Sequence, residues 1–600
     1  MKIEWQKKLL RQSLALMAMG IIATSFGASQ TDAASVKVLP IDRAKFLAGQ
    51  KFDFEVEIKG NTPVQQIEVM VNGVSADKFF GKKASIINNK GITSYRISDV
   101  IFDKTGNFQV VAKATDAEST DVKQASYEVV YEKAPKIAKN VVLFVGDGMG
   151  SQARQVARIL SKGITEGKYN GQLAMDDMSR SARITTSGYD SLVTDSANSA
   201  SAYATGHKAV VNAMGGYANS TPDPFDDPKV ENIIELVKRT KGMSTALVSG
   251  ANVLDATPAA MFTHTRRRAE QNWIAVDMLA PHHRPDVVLG GGSRNFIPSN
   301  VPGSKRKDNR NVASDFKSLG YNVVGNKTEL MSLKNPDKIL GLFTLDTMNV
   351  YIDREIIKNP KVLGSFTDQP NLMDMTKKTL EVLDKNPNGF FAMIEGASID
   401  KQLHVLDWQR AAYDTIELDK AVQIVKDYSK KNGNNTLIIV VADHSHGMSI
   451  TGTYHERDGK TGREAVRVYE QAGWTNFVDA DGDGFPDDPN PEVTLAVQWA
   501  NHPDYYENYR FLSEPTPPAV KAGDKSIANP KRSPLGKDGV YLTGNIPNSD
   551  PQEVHSADDV ILTAEGPGAE YFRGVMDNTE VFYGMVRALG IDGRKNINKK

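Results

Sequence analysis

The sequence predicts an α/β fold with a mostly parallel central sheet flanked by helices, preceded by a small all-β sandwich. Two changes of texture predict it. From about Ser35 to Tyr131 the pattern has period two, as where Phe52, Phe54, Val56 and Ile58 alternate with charged residues, and such alternation marks half-buried strands. After Asn140 the apolar residues run continuously, as in Asn140–Val145 (NVVLFV), with amphipathic stretches between the runs. Strands buried on both faces and alternating with helices make a parallel sheet.

The elements follow in chain order. Lys2, Lys7, Lys8 and Arg11 precede an apolar stretch from Leu14 to Phe26 and then small residues. That is the pattern of a secretory leader over residues 1–34, too short for a membrane span. Residues 35–133 carry the alternation onward through Phe108, Val110, Ala112 and Ala114 and through Tyr127, Val129 and Tyr131, with turns at Asn72-Gly73 and Thr105-Gly106-Asn107. This spacing resembles an immunoglobulin-like β-sandwich. Residues 134–140 are a polar, proline-containing linker, and the second domain spans 141–600. Its expected strands are Asn140–Val145, Ser244–Ser249, Val287–Leu289, Phe390–Ile394 and Thr436–Val441, with helices at Leu372–Leu383 and Ile416–Tyr428.

Composition narrows the chemistry. The 600 residues are 40% hydrophobic and 24% charged with net charge −1, so the chain can bury a core and carries no nucleic-acid-binding signature. There is no cysteine against ten histidines. That removes disulfides, thiolate metal sites and cysteine nucleophiles together, and leaves any metal to imidazole, carboxylate, hydroxyl or backbone oxygen. With no cysteine to carry a lipid and a polar C-terminus, no membrane anchor is expected.

Four apolar strands end in polar groups. They lead to Gly146-Asp147-Gly148, to Asp255-Ala256-Thr257, to Glu395 with Asp400, Lys401 and His404, and to Asp443-His444-Ser445-His446. The carboxyl ends of parallel strands line the ligand crevice, so these groups are expected at one rim. Asp400 and His404 stand four apart, which puts both on one face of a helix. Imidazole with carboxylate suits zinc, and carboxylate with hydroxyl suits magnesium. A helix expected to begin at Ser196, within Thr194-Asp195-Ser196-Ala197, would turn its N-terminal dipole toward an anion beside that hydroxyl. Read alone, Ser196 is an N-cap.

The motifs TDSANSASAYATGHK, DATPAAMFTHTRRR, EGASIDKQLH, ADHSHG and EVHSADDV resemble those of the alkaline phosphatases, in the same order, over roughly Lys139 to Leu589. The resemblance implies that family's α/β fold and two zinc ions with one magnesium ion per chain. Carried over by position, Asp400, His404 and His555 hold one zinc, and Asp147, Asp443 and His444 the other. Asp147, Thr257 and Glu395 hold magnesium. Ser196 is then the nucleophile and Arg268 the phosphate clamp, with Arg266 and Arg267 beside it as alternatives of register. Lys401 stands on the substrate side and pairs with Asp255, while Asp195, Asp255 and His446 support the inner residues. The remaining histidines, His207, His264, His282, His283, His455 and His502, read as surface or core.

An insertion at about 453–548 departs from the compact members of the family. Within it, residues 479–490 place Asp479, Asp481, Asp483 and Asp487 at alternating positions, with the Phe485 carbonyl available. This resembles a calcium loop, although position twelve is Asn490 where an EF-hand has Glu. The expected protein is thus an exported phosphomonoesterase of broad specificity, periplasmic or secreted, acting on small phosphate monoesters through a phosphoserine. A homodimer is left open. The rival readings are a phosphodiesterase or sulfatase of the same superfamily and, from another class, a calcium-dependent surface-binding protein.

Overall fold

In the computed structural model the described residues are 35–60, 62–165, 168–450, 497–507, 514–532, 540–546 and 550–596. The expected leader at 1–34 and the calcium loop at 479–490 lie outside them.

The N-terminal region is a sandwich of two sheets. One runs in the order 35–39, 52–59, 92–100, 85–89, and the other 45–47, 120–130, 106–115, 66–71, 74–75. Asn72 and Gly73 both take positive φ, 48° and 77°, which a tight hairpin turn requires and Asn-Gly supplies. Phe46, Phe52, Phe54, Phe102 and Tyr127 form the centre. Phe46 and Phe52 have ring centroids 4.6 Å apart, and Phe52 stacks on Phe102 at 5.3 Å.

The period-two pattern predicts that the charged residues of Phe52–Lys59 face water. They do not: Asp53, Glu55 and Glu57 are 8%, 2% and 2% exposed. That face abuts the second domain. Asp53 Oδ2 pairs with Arg96 at 2.6 Å and accepts from the Lys229 backbone at 3.3 Å, and Glu57 accepts from the backbone and hydroxyl of Ser220. Gln50, fully buried, gives its side-chain amide to the carbonyls of Thr205 at 2.8 Å and Glu231 at 3.1 Å.

The second domain is built on a ten-stranded sheet in the order 322–324, 339–342, 287–291, 244–252, 390–396, 140–146, 436–442, 560–565, 180–185, 575–577. Its pairings are parallel except on the two sides of Val560–Glu565, which runs antiparallel to both neighbours. The five expected strands are all present. Those at 140–146, 390–396 and 436–442 are buried at every position, as continuous apolar runs demand. The Leu372–Leu383 helix has its expected bounds, while Ile416–Tyr428 is the middle of a longer helix, Trp408–Lys431. Among the described residues no helix is long and apolar enough to cross a membrane.

Two outcomes follow from the docked face. Gln50→Ala leaves two buried carbonyls short of a donor and should lower stability by about 2–4 kcal/mol in urea unfolding. Burial, outweighing the Ser94 hydroxyl and Arg96, pushes the Glu55 carboxyl from 4.5 up to about 7. The native state therefore holds this proton to higher pH than the unfolded chain, and stability falls as pH rises from about 4.5 through 7. Glu55→Gln should flatten that part of the stability–pH curve.

Candidate active site

Four adjacent strands of the sheet, 244–252, 390–396, 140–146 and 436–442, deliver the polar groups to one rim. Parallel register sets their level: Val145 pairs with Glu395, and Gly146 pairs with both Gly396 and Ala442. The strand ending at Ala442 breaks immediately, so adjacent Asp443 and His444 both turn inward. Gly148 takes φ 66°, and a Cβ there would sit 2.7 Å from the His446 ring; only glycine allows this approach. Its N–H donates to Asp443 Oδ1 at 3.0 Å, as does the His444 N–H.

The result is one concentrated group of acids and imidazoles. His444 Nε2 lies 3.2 Å from Asp147 Oδ1 and 3.6 Å from Asp443 Oδ2. Asp443 and His444 are fully buried, yet among the described residues Asp443 Oδ2 and His444 Nδ1 have no hydrogen-bond partner. Burial and the neighbouring Asp147 push the Asp443 carboxyl well above its ordinary range and Glu395 up to about 8, while burial and His555 push His444 down to about 4. Buried carboxylates that repel one another around an orphaned oxygen fit a divalent cation. Glu395 also accepts from the Ser249 hydroxyl. Thr257 is buried in the short Ala256–Ala260 helix, and among the described residues no hydrogen bond ties it to Asp147 or Glu395.

A second group centres on Asp400, which with His404 lies on the Ser398–His404 helix. Its Oδ1 is 3.3 Å from His404 Nε2 and 3.4 Å from His555 Nε2, and those two ring nitrogens are 3.2 Å apart. The other nitrogen of each ring is held by a carbonyl, His404 Nδ1 by Glu553 at 2.6 Å and His555 Nδ1 by Thr194 at 2.7 Å. A carbonyl only accepts, so both Nδ1 atoms carry hydrogen, and both Nε2 atoms are left to face Asp400, which raises the His404 pKa despite burial. That is the outer support found around ligating histidines.

His446 differs. Its Nε2 meets Asp400 Oδ1 at 2.7 Å and its Nδ1 meets Glu553 Oε2. Despite burial, Glu553 and Asp400 push it up to about 10, and with a carboxylate on each ring nitrogen it orients Asp400. No motif in the sequence singles out Glu553. It is fully buried, accepts from Gly447 N at 3.0 Å, and donates its own N–H to the His404 carbonyl at 2.9 Å. Its position two before His555 was the available signal. The antiparallel pair His446↔His555 returns the chain to the rim after the insertion.

Ser196 sits 3% exposed at the start of the Ser196–Thr205 helix. It is the first helical residue and not the N-cap: Asp195 caps the helix, accepting from Asn198 N while the Asn198 side chain returns to Asp195 N. Asp is an equally good cap, and this frees the serine. Its Oγ is 3.2 Å from His444 Nε2 and 3.4 Å from Asp147 Oδ1.

Of the three arginines, Arg268 alone reaches this helix cap, at 3.3 Å from Asp195 Oδ2 and 2.8 Å from Asp255 Oδ1. Arg266 bonds the Asn219 and Thr221 carbonyls, and Arg267 is 64% exposed beside Glu270. Lys401 takes the other Asp255 oxygen at 2.9 Å. Between them, Lys401 and Arg268 overcome burial and hold the Asp255 carboxyl well below its ordinary range.

The comparisons with known proteins agree in kind. The family model "Alkaline phosphatase" matches residues 138–591. The chain is 34% identical over 355 residues to alkaline phosphatase H of Pseudomonas aeruginosa, covering 52% of this chain and 71% of that one. It is 29% identical over 495 residues to the alkaline phosphatase of Escherichia coli, covering 76% and 87%. The crystal structure of the Thermus thermophilus alkaline phosphatase matches with a TM-score of 0.54 at 23% identity, covering 77% of this chain and 93% of that one. The chain belongs to the alkaline phosphatase family and is by that membership a phosphoric monoester hydrolase.

Proposed function

We propose that this enzyme is exported and cleaves small phosphate monoesters through a covalent phosphoserine at Ser196, with metal ions held by the acidic rim. The observation that carries the reading is the Ser196 hydroxyl, buried within 3.4 Å of Asp147 and His444 on a helix N-terminus that Arg268 overlooks. Asp400, His404 and His555 would hold one zinc, Asp147, Asp443 and His444 a second, and Glu395 and Thr257 would join Asp147 around magnesium. Bound there, the ions supply Lewis acidity that lowers the hydroxyl pKa and offsets negative charge on phosphate.

The chain's own residues do the rest. The Ser196–Thr205 helix presents its N-terminal N–H groups and dipole to the phosphate. Arg268 offers a planar fork to two phosphate oxygens, and Asp195 and Asp255 fix its orientation. Ser196 Oγ attacks phosphorus in line and gives its proton to solvent, while the ester oxygen departs opposite it and takes a proton from water to leave as the alcohol. Water then attacks the phosphoserine from the vacated side, and inorganic phosphate leaves with Ser196 restored. Lys401, fixed by Asp255, keeps a cation beside the departing phosphate. No pocket for the alcohol enters this scheme, which favours broad monoester specificity. The leader pattern at residues 1–34 supports export to the periplasm or beyond.

Ser196→Ala should lower monoester turnover about 10³-fold or more with the fold intact; near-wild-type turnover in this variant, or diester cleavage matching monoester cleavage, would sink the assignment. Removing divalent ions with a chelator should abolish activity, and zinc with magnesium should restore it. Glu553→Gln keeps the shape but loses the charge behind His446. It should weaken metal affinity about 10–100-fold, read as the free zinc concentration needed for half-maximal activity.

A further inference from the structure

Seven of the ten histidines gather in two places. Four belong to the acidic rim, and His264, His282 and His283 gather around Glu235, with no residue shared between the two groups. Glu235 is the third residue of the Ile233–Lys241 helix, where its carboxylate closes a capping box with Asn232. That role uses one hydrogen bond, from Asn232 N to Oε2 at 3.0 Å. Two further ring nitrogens crowd the same carboxylate: His264 Nε2 at 3.0 Å from Oε2 and His283 Nε2 at 3.2 Å from Oε1.

The tautomer of His264 is fixed by its surroundings. Its Nδ1 lies 2.7 Å from the Gly215 carbonyl, which can only accept, so Nδ1 carries the hydrogen. The Asn232 amide oxygen is taken by Glu235 N at 3.1 Å, which turns the Asn232 NH₂ toward His264 Nε2 at 3.4 Å. His264 Nε2 faces Glu235 Oε2 at 3.0 Å and fixes that oxygen, which leaves Oε1 turned toward His283.

His283 is 4% exposed, and its Nδ1 lies 2.9 Å from Asp277 Oδ2. Asp277 is itself fixed by the Thr263 hydroxyl at 2.6 Å. A carboxylate behind one ring nitrogen, with the other nitrogen turned to a shared centre, is the support that orients ligating histidines. His282 packs its ring against His283, centroids 4.1 Å apart, and offers a third imidazole within 4.8 Å of the Glu235 and His283 ligand atoms. Being exposed, it leaves an entry path. Tetrahedral bonds of 2.0–2.1 Å place ligand atoms about 3.4 Å apart, so small side-chain adjustments accommodate an ion.

From this geometry we infer that Glu235, His282 and His283 form a further transition-metal site, of zinc class, at the junction with the sandwich, with His264 fixing the other oxygen of Glu235. The donor set, imidazoles with one carboxylate, selects zinc-like ions over magnesium or calcium. The site borders a cavity of about 390 Å³ lined also by Lys51 and Asp99 of the sandwich and by Glu231 and Arg239 of the second domain. The cations there are already paired, Lys51 with Asp99 at 2.9 Å and Arg239 with Glu231, so they do not repel an entering ion outright. A metal at this place ties the start of the Ile233–Lys241 helix to the loop carrying His282 and His283. It acts on stability and not on the chemistry at Ser196.

The test compares the purified full chain with His282→Ala and with His282→Ala/His283→Ala. Each is stripped of metal, reloaded with zinc and magnesium, and counted by plasma mass spectrometry. The variants should hold about one zinc fewer per chain, keep wild-type monoester turnover, and lose part of the rise in melting temperature that zinc gives the wild type. Anomalous diffraction at the zinc edge from wild-type crystals should give a peak between Glu235 and His283. Equal zinc content in wild type and the single variant, with no such peak, would overturn the site and leave protons as the cations that hold the cluster. The single change alters an exposed residue, so the comparison stands even if the double variant fails to fold.

Discussion

The acidic rim is organised by repulsion. Asp147, Glu395, Asp400 and Asp443 are all at most 6% exposed, brought together because parallel strands in register end at one level. Two such charges about 4 Å apart repel by about 4 kcal/mol at the effective dielectric near a protein surface, and four of them cannot all stay ionised without countercharge. Part of that countercharge is built in: His446 serves Asp400, and Lys401 stands nearby on Asp255. Among the described residues Asp443 Oδ2 has no hydrogen-bond partner and only the His444 ring nearby, at 3.6 Å. Cations bound among these carboxylates would relieve that repulsion, and their binding energy would then count toward folding.

The sandwich is tied to this rim through one helix. Gln50 donates to the carbonyl of Thr205, the last residue of the helix whose first residue is Ser196. At the other side of the same junction, Lys45 pairs with Glu580 at 3.1 Å, and Glu580 begins the Glu580–Leu589 helix that packs on Ser196–Thr205. The sandwich therefore braces the far end of the Ser196–Thr205 helix and its neighbour. Charged residues on its docked face explain how it does so: Asp53 and Glu57 accept from backbone N–H groups across the junction, a bond that fixes position more sharply than apolar contact does.

Much of this was legible in the sequence because long-range order in a parallel sheet is written locally. Each buried strand is a continuous apolar run, and each polar residue just after it is at the rim by necessity. The short strands 322–324, 339–342 and 575–577 were not legible, since three or four residues carry no period. Nor was the burial of Asp53, Glu55 and Glu57: alternation reports that two faces differ, and cannot report that the polar face is covered by another domain. Ser196 read as a cap because serine is a common one, and only the Asn198 bond to Asp195 shows which residue performs that role. Glu553 was missed because its importance lies in a partner 107 positions away, His446, and no local pattern encodes that distance.

The described parts of the insertion add a constraint that its sequence concealed. Arg532 donates to the carbonyls of Val405 at 2.7 Å and Leu406 at 2.9 Å, the residues that leave the Ser398–His404 helix. Thr516 N donates to Asp407 Oδ2 at 3.0 Å, and Asp407 caps the following helix, Trp408–Lys431. That helix is locked in turn by buried ion pairs, Arg410 with Asp353 at 2.9 Å and Arg354 with Glu417 at 2.7 Å. Pairs buried this deeply cost desolvation and add little net stability, but each is expensive to break on one side, so they resist sliding of one element past another. A chain without cysteine has no disulfide to impose that resistance. Here the turn between the two helices, the one carrying Asp400 and His404 and the one locked by ion pairs, is held by an arginine and a backbone N–H from the insertion. The insertion therefore belongs to the mechanical support of the Asp400–His404 pair, whatever else its remaining residues do.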